Sequence, residues 1–454
     1  MRRNADMPHV VIIGGGFAGL KAAKALQKAP VRLTLIDRRN HHLFQPLLYQ
    51  VATAALNPSE IAAPIRYVLR KNRNAQVLLA EVTRIDTEGK RVVLADGEVS
   101  YDYLMVATGA SHSYFGNDQW AEHAPGLKTL DDALSIRQRV LLAYEAAERE
   151  GDNACRRELL SFVIVGAGPT GVELAGALAE ISRKTLAEDF VHIDPTSARV
   201  VLIEGVDRVL PPYPQELSQA ARESLERLGV EVRTNARVTD VDAGGVTLAD
   251  GTRIAARTVI WAAGVAASPL AKTLGVPLDR AGRVKVTKHL TVPGHPEIFV
   301  VGDLAAVVDD DGKPVPGVAP AAMQMGESAA RNIMHAVRGE PLFPFTYWDR
   351  GTFSVIGRGH AVGVAFRRIE MKGYLAWLAW LFIHVLFLVG FRSRLIVLMN
   401  WAYSYIGFRR AARIITGKPP DLTDSACRPV PVTPLGSTRR EEPRRDESAH
   451  FVQH

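Results

Sequence analysis

The sequence predicts an α/β protein made of two Rossmann-like units followed by an apolar, helical C-terminal region. Three observations carry this expectation. The segment HVVIIGGGFAGLKAAKAL, followed by VRLTLIDRR, reads as strand, glycine-rich turn, helix, strand and acid. The segment LSFVIVGAGPTGVELAGALAEI, followed by ARVVLIEGVDRVLP, repeats that order roughly 150 residues later. Near the C-terminus, residues 373–391 read GYLAWLAWLFIHVLFLVGF, nineteen residues without Asp, Glu, Lys or Arg.

A chain of 454 residues suggests two or three domains, and 47% hydrophobic with 23% charged residues is the composition of a folded protein. The net charge of +7 admits nucleic acid, an anionic membrane surface or acidic ligands. Arg367, Arg368, Lys372, Arg392, Arg394, Arg409, Arg410 and Arg413 cluster beside the apolar run, which favours a membrane lipid surface and argues against nucleic acid. The two cysteines, Cys155 and Cys427, form no CxxC or metal-type Cys/His spacing, so neither a metal site nor a thiol relay is expected. The start MRRNADMP lacks the apolar core of a secretory signal.

In the first unit, Gly14-x-Gly16-x-x-Gly19 follows a strand and opens a helix. The first glycine permits a tight turn, the second lets backbone approach a pyrophosphate, and the third lets helix and strand pack closely. Asp37 ends the next strand, where a carboxylate accepts from ribose hydroxyls. The adjoining His41 and His42 lack metal-ligand spacing and read as loop residues beside the dinucleotide that this turn holds. A strand-rich passage with a turn at Asp96-Gly97 then ends in ATGA.

The second unit repeats every part. Gly166, Gly168 and Gly171 form its turn, and Glu204 ends its second strand. An acid there repels a 2′-phosphate and favours NADH over NADPH, although Arg208 lies four residues on. A second strand-rich passage turns at Asp250-Gly251 and ends in AAGV. The chain then returns to a strand, EIFVVGD, and a helix, APAAMQMGESAARNIMHAV. Two dinucleotide sites in one chain imply two dinucleotides, of which one, a flavin, passes electrons onward.

Over residues 8–340 the chain resembles the two-dinucleotide flavoproteins of the glutathione reductase type. The resemblance implies FAD at Gly14, Gly16, Gly19, Asp37 and Arg38, with Ala107, Thr108 and Gly109 beside it and Gly302 and Asp303 closing over it. It implies NADH at Gly166, Gly168, Gly171 and Glu204, with the turn ending at Gly264 lining the pocket. The stretch NHHLFQPLLY from Asn40 to Tyr49, whose Gln45 joins the cofactor set, resembles that of type II NADH dehydrogenases, as does GPTGVELA. The basic, aromatic C-terminal region resembles their membrane anchor and extends the likeness to about residue 416.

This resemblance implies FAD-dependent oxidation of NADH with two-electron reduction of ubiquinone or menaquinone, without proton pumping. It implies a catalytic role for Glu173 near the nicotinamide and the acceptor. It does the same for Gln324, which matches the second glutamine of a motif whose first position holds Pro320 here. The alternative is a soluble NAD(P)H reductase of a ferredoxin- or rubredoxin-like protein. A third reading is a non-catalytic, membrane-associated flavoprotein resembling the apoptosis-inducing type. The expected division is a flavin unit over 1–119 and 290–345, an NADH unit over 120–289, a membrane-docking region over 346–416 and a disordered tail over 417–454.

Nineteen helical residues span about 28 Å, close to a hydrocarbon core of about 30 Å. Yet His384 interrupts the run, arginines flank it, and the next stretch, RLIVLMNWAYSYIGFRRAARII, mixes aromatic, polar and basic residues. Two helices lying in one leaflet fit this pattern better than one crossing it. A homodimer interface would also be apolar. The expected location is the cell membrane, peripheral or monotopic, with the nucleotide sites facing the cytoplasm.

Overall fold

The computed structural model describes residues 7–407 and 412–416. The expected tail over 417–454, Cys427, Arg409 and Arg410 lie outside the described residues.

The first unit opens with β1 (His9–Ile13), α1 (Phe17–Ala25) and β2 (Arg32–Asp37). After it come α2 (Leu48–Ala52), α3 (Pro58–Ile61), β3 (Ala75–Leu79), β4 (Tyr103–Val106) and β5 (Ala110–His112). Helix α4 (Leu130–Arg149) leads to the second unit: β6 (Ser161–Val165), α5 (Pro169–Glu180), β7 (Arg199–Ile203), β8 (Val230–Arg233), β9 (Thr258–Trp261) and β10 (Val265–Ala267). The chain returns through β11 (Thr291–Val292), β12 (His295–Val300) and α6 (Ala319–Val337). It closes with β13 (Gly351–Val355), β14 (Ala361–Ala365), β15 (Ile369–Gly373), α7 (Tyr374–Phe387) and α8 (Phe391–Gly407).

The first sheet runs β11-β12-β4-β1-β2-β3 and is parallel except for β11; the second runs β8-β7-β6-β9, all parallel. Every residue of β6 is buried, as parallel strands covered on both faces require. Each predicted strand-rich passage forms a three-stranded antiparallel sheet, Val82–Asp86 with Arg91–Leu94 and Glu98–Ser100, and Val238–Asp242 with Gly245–Leu248 and Arg253–Ala255. The turns at Asp96-Gly97 and Asp250-Gly251 fall between their last two strands. The repeats meet where β5 pairs antiparallel with β10, Ala110 opposite Ala267 and His112 opposite Val265.

Helices α1 and α6 pack so closely that a Cβ on Gly326 would lie 2.2 Å from the Ala18 carbonyl oxygen. That contact ties the late helix to the first unit's glycine turn.

The C-terminal region differs from its expectation in one respect: it opens with an antiparallel meander, β13-β14-β15, before any helix. The sequence there alternates weakly, and the sheet takes its partner surface from α5, α7 and the helix Gln215–Arg227, so local pattern hid it. The apolar run then becomes two helices. Helix α7 has 14 residues, about 21 Å, and among the described residues no helix is long and apolar enough to cross a membrane.

Helix α7 buries Ala376, Trp377 and Trp380 and leaves Tyr374, Leu375, Leu378, Phe382 and Leu386 exposed. His384 is accommodated by donating from Nδ1 to the Trp380 carbonyl (2.7 Å), with its ring stacked on Trp380 at 4.3 Å. Desolvation pushes its imidazole down to about 4, so it is neutral at ordinary pH. On α8, Asn400 Nδ2 donates to Glu60 Oε1 (2.8 Å) and Trp401 Nε1 to Gln50 Oε1 (2.8 Å), which explains polar residues in an apolar stretch.

Part of the basic cluster is engaged within the protein. Arg367 pairs with Asp309 (3.0 Å), Arg394 Nε donates to the Leu388 carbonyl (2.9 Å), and Arg413 pairs with Asp189. Replacing Gly326 by Ala is expected to destabilise the protein by about 1–3 kcal/mol, because backbone opposes the new methyl and overpacking of this kind has no soft partner. A chemical-denaturation midpoint unchanged from wild type would show that α1 and α6 separate freely.

Candidate functional site

The carboxyl ends of the central strands gather the predicted residues of the first unit. Gly14–Gly16 follow β1, Asp37 ends β2, Ala107–Gly109 follow β4, and Gly302-Asp303 follow β12, which pairs with β4 through Val300 and Val106. In open parallel sheets this edge is where ligands bind.

The two glycine turns have nearly the same geometry. Gly14 has φ +104° and Gly166 φ +101°, values that side chains disfavour. A Cβ on Gly19 would sit 1.9 Å from the Gly14 oxygen, and one on Gly171 1.8 Å from the Gly166 oxygen. The later small-residue turns close from the other side: a Cβ on Gly14 would meet Ala107 O at 2.4 Å, and one on Gly166 would meet Ala263 N at 2.7 Å. The acids lock the turns. Gly15 N donates to Asp37 Oδ2 (2.6 Å), and Ala167 N donates to Glu204 Oε2 (2.7 Å).

By contrast, a Cβ on Gly16 or Gly168 would meet nothing within 4 Å. These glycines answer to no neighbour in the protein, which fits an approaching pyrophosphate at the start of α1 and of α5. Thr108 Oγ1 is buried with no hydrogen-bond partner among the described residues. The first turn therefore fits a bound dinucleotide such as FAD, with a polar atom left over for it.

His42, read from sequence as a loop residue, belongs to this turn. It is buried, and its Nδ1–H donates to the Gly15 carbonyl (3.0 Å), while burial pushes its imidazole down to about 4. Gly15 is thus held by Asp37 at its N–H and by His42 at its oxygen. Gln45 Nε2 donates to the Lys128 carbonyl (3.0 Å), tying the stretch after β2 to the entry of α4. Arg38 is exposed at the end of β2. Gly302 takes φ +72°, and its N–H donates to Met325 Sδ (3.2 Å).

The second turn faces a cleft of about 730 Å³ lined by Gly166, Gly168, Glu204 and Gly264, with Phe115 and Trp261. Arg208 does not turn toward a ribose phosphate here: its Nη2 donates to the Pro211 carbonyl (3.0 Å).

Glu173 lines a different, narrow cavity of about 50 Å³, together with Tyr49, Gln50, Thr53, Arg358 and Trp401. Burial drives its carboxyl well above the usual value, outweighing a hydrogen bond to the Val355 backbone and favouring the protonated form. Tyr213, buried near Glu173, is also pushed up. A chain of hydrogen bonds crosses the cavity, from Trp401 Nε1 to Gln50 Oε1 (2.8 Å) and from Gln50 Nε2 to the Tyr49 hydroxyl (2.9 Å). Glu180 Oε1 accepts from Arg358 N (2.6 Å) and fixes the loop after β13. One wall is the nucleotide unit, another the stretch after β2, and a third the apolar C-terminal helix.

Gln324 is placed elsewhere. Its amide bonds both backbone groups of Trp348, Nε2 donating to the oxygen (2.9 Å) and Oε1 accepting from the nitrogen (3.0 Å). It ties α6 to the strand-like entry of the C-terminal region. Tyr49 was within reach of sequence reasoning, since it ends the stretch that begins at Asn40, and Gln50 follows it directly. Arg358 and Trp401 carried no local signal, because only packing brings them to Glu173.

The pyridine nucleotide-disulphide oxidoreductase family matches residues 8–326. The type II NADH:quinone oxidoreductase Ndh of Mycobacterium tuberculosis is 48% identical over 422 residues, covering 90% of both chains. That of Staphylococcus aureus is 32% identical over 372 residues, 80% of this chain and 90% of the other. Among solved structures, NDH2 of Plasmodium falciparum in complex with NADH superposes with a TM-score of 0.81 at 20% identity, over 90% of this chain and all of that one. A sulfide:quinone oxidoreductase of Aquifex aeolicus gives 0.69 at 19% identity, over 85% and 91%.

A carboxyl whose folded pKa is raised binds its proton more tightly folded than unfolded. Wild-type stability therefore falls, relative to a variant without the carboxyl, as pH rises above the unfolded value of about 4.5. Glu173→Gln is expected to gain in melting temperature over wild type as pH is raised from 5 through 8, on the order of the linkage set by that shift. A gap that shrinks over this range would mean that Glu173 is ionised in the fold.

Proposed function

The chain belongs to the pyridine nucleotide-disulphide oxidoreductases and, within them, to the type II NADH:quinone oxidoreductases, and from that premise we propose how its own residues carry the reaction. The enzyme oxidises NADH with FAD as cofactor and reduces a quinone. When bound, FAD accepts a hydride from NADH and returns two electrons to the quinone.

Residues of the first turn hold the flavin dinucleotide: Gly16 admits the pyrophosphate, Asp37 and His42 keep the turn in register, and Thr108 offers its free hydroxyl. In the second unit, Gly168 admits the NADH pyrophosphate and Glu204 accepts from the adenosine ribose. A fixed carboxylate there, with Arg208 tied to its own loop, supports NADH over its phosphorylated form. The flavin unit comprises 1–119 and 290–345 and the NADH unit 120–289, a division supported by β12 completing the first sheet.

The quinone head group is reduced at the cavity of Glu173. The observation that carries this assignment is a carboxyl buried between the nucleotide unit and the apolar helices, where desolvation favours its protonated form. Reduction of a quinone to a quinol takes up two protons, and a neutral, desolvated glutamic acid holds one where the charge develops. Tyr49 and Gln50 orient the ring through the chain that ends on Trp401. Gln324 acts by positioning the 345–350 segment.

The enzyme lies on the membrane through the exposed faces of α7 and α8, with the nucleotide sites toward the cytoplasm. Leu375, Phe382 and Leu386 on α7, with Leu395, Leu398 and Met399 on α8, are exposed apolar side chains beside the exposed Arg368 and Lys372. Lipid-dissolved quinone then reaches the Glu173 cavity without crossing water.

Two experiments test this reading. In anaerobic stopped-flow, NADH is expected to bleach the flavin bands and a short-tail quinone to restore them; bleaching without recovery would assign the electrons to another acceptor, such as a small redox protein. In flotation with anionic vesicles, the triple change Leu375→Ser, Phe382→Ser and Leu386→Ser is expected to cut bound protein at least ten-fold, since each buried side chain is worth about 1.5–3 kcal/mol. The same variant should lose long-tail quinone turnover yet keep turnover of the soluble quinone. Undiminished flotation would remove these faces from the membrane contact.

A further inference from the structure

Phe115 occupies a costly position for an aromatic residue. It sits in the left-handed region, at φ +54°, and the residue is 68% exposed. A bulky side chain there is a steric outlier, and exposure adds an unrecovered hydrophobic cost. The surrounding loop enforces both. Ser113 O accepts from Trp261 Nε1 (2.8 Å), Asn117 N donates to Tyr114 O (3.0 Å), and the Tyr114 hydroxyl donates to Ala124 O (2.9 Å). Between these pins the tip holds Phe115 out over the second unit's cleft.

The ring lies directly above the backbone of Gly264, where an added Cβ would come within 2.7 Å of Phe115 Cζ. It meets the Trp261 ring edge-on at 6.4 Å. Gly264 itself has φ +73°, so the turn beneath the ring is kept flat and free of side chain. The same cleft is lined by Glu204 and the strand entry Ala236–Thr239. An acid at the end of the second strand marks the adenosine ribose, which places the adenine in this cleft and sends the nicotinamide away from it.

We propose that Phe115, delivered by the segment linking the two units, is an aromatic lid that stacks on the adenine of the bound NADH and sets its affinity. Outliers of backbone conformation persist where the surroundings over-determine them, and they concentrate at ligand clamps. A base seated in the cleft covers the ring and recovers the burial that the free enzyme forgoes. The linker thereby couples nucleotide capture to the β5–β10 junction of the repeats. The inference rests on the second unit being the NADH site.

The test uses the flavin-loaded enzyme. Phe115→Ala is expected to raise KM for NADH about ten-fold and to raise the inhibition constant of ADP-ribose by the same factor, the effect of losing one base–aromatic stack. Turnover of reduced nicotinamide mononucleotide, which has no adenine, should keep its KM. Phe115→Trp should restore both affinities. Phe115→Gly should weaken ADP-ribose equally while raising the melting temperature of the nucleotide-free enzyme, because glycine accepts the positive φ. An ADP-ribose constant within two-fold of wild type in Phe115→Ala overturns the proposal, as does an equal loss with the mononucleotide. Failure of NADH to bleach wild-type flavin would instead sink the NADH assignment itself, so the two failures are distinguishable.

Discussion

One constraint recurs through the molecule: a tight glycine turn at the carboxyl end of a parallel strand, held by the acid that ends the next strand. Asp37 on Gly15 and Glu204 on Ala167 are the same hydrogen bond made twice, at 2.6 and 2.7 Å. Each fixes backbone N–H groups in the orientation that phosphate needs, and each spends its acid's second oxygen nearby, on Arg39 N (2.7 Å) and Val206 N (3.2 Å). The rest of each unit can be read as supporting this bond. Later turns press on the first glycine, and the third glycine brings the helix against the strand.

A second theme is how a soluble-looking fold acquires an apolar appendage without losing rigidity. Ala376, Trp377, Trp380, Leu388 and Val397 join the buried core of the second unit, and polar and aromatic contacts add to this. Asn400 reaches Glu60, and Trp401 reaches Gln50. Phe44 meets His384 edge-on at 6.2 Å and Phe17 at 5.9 Å. The C-terminal helices are therefore docked on the same stretch that follows the first Rossmann strand pair, close to the flavin turn. This placement leaves one side of α7 and α8 apolar and exposed while the other side completes the cavity of Glu173. On the proposed reading, docking and quinone reduction share elements, and a quinone entering from lipid would meet the buried carboxyl over a short path.

Much of this was legible in the chain itself. The repeat, both glycine turns, Asp37, Glu204, the return strand and the break of the apolar run into two helices all follow from local rules of turn chemistry and periodicity. Those rules operate within a few residues, so no tertiary knowledge is needed to apply them. His42 shows where they stop. A histidine beside another histidine in a loop-like stretch has no local sign of burial, yet the fold encloses it under the flavin turn and strips it of charge. The β13-β14-β15 meander escaped for a related reason, since a short sheet takes its pattern from the surfaces it covers.

The sequence alone determined the two dinucleotide units, the identity of their acids and the presence of an apolar, aromatic end, because each is encoded in contiguous residues whose chemistry is fixed by spacing. Tertiary structure alone decided which groups meet. It tied Gln324 to Trp348 and left Glu173 in a cavity with Gln50 and Trp401, residues separated by more than two hundred positions in the chain. It also buried that carboxyl, which raises its pKa, and held Phe115 in a strained, exposed pose. Burial and desolvation depend on every element packed around a group, and no window of sequence contains that sum.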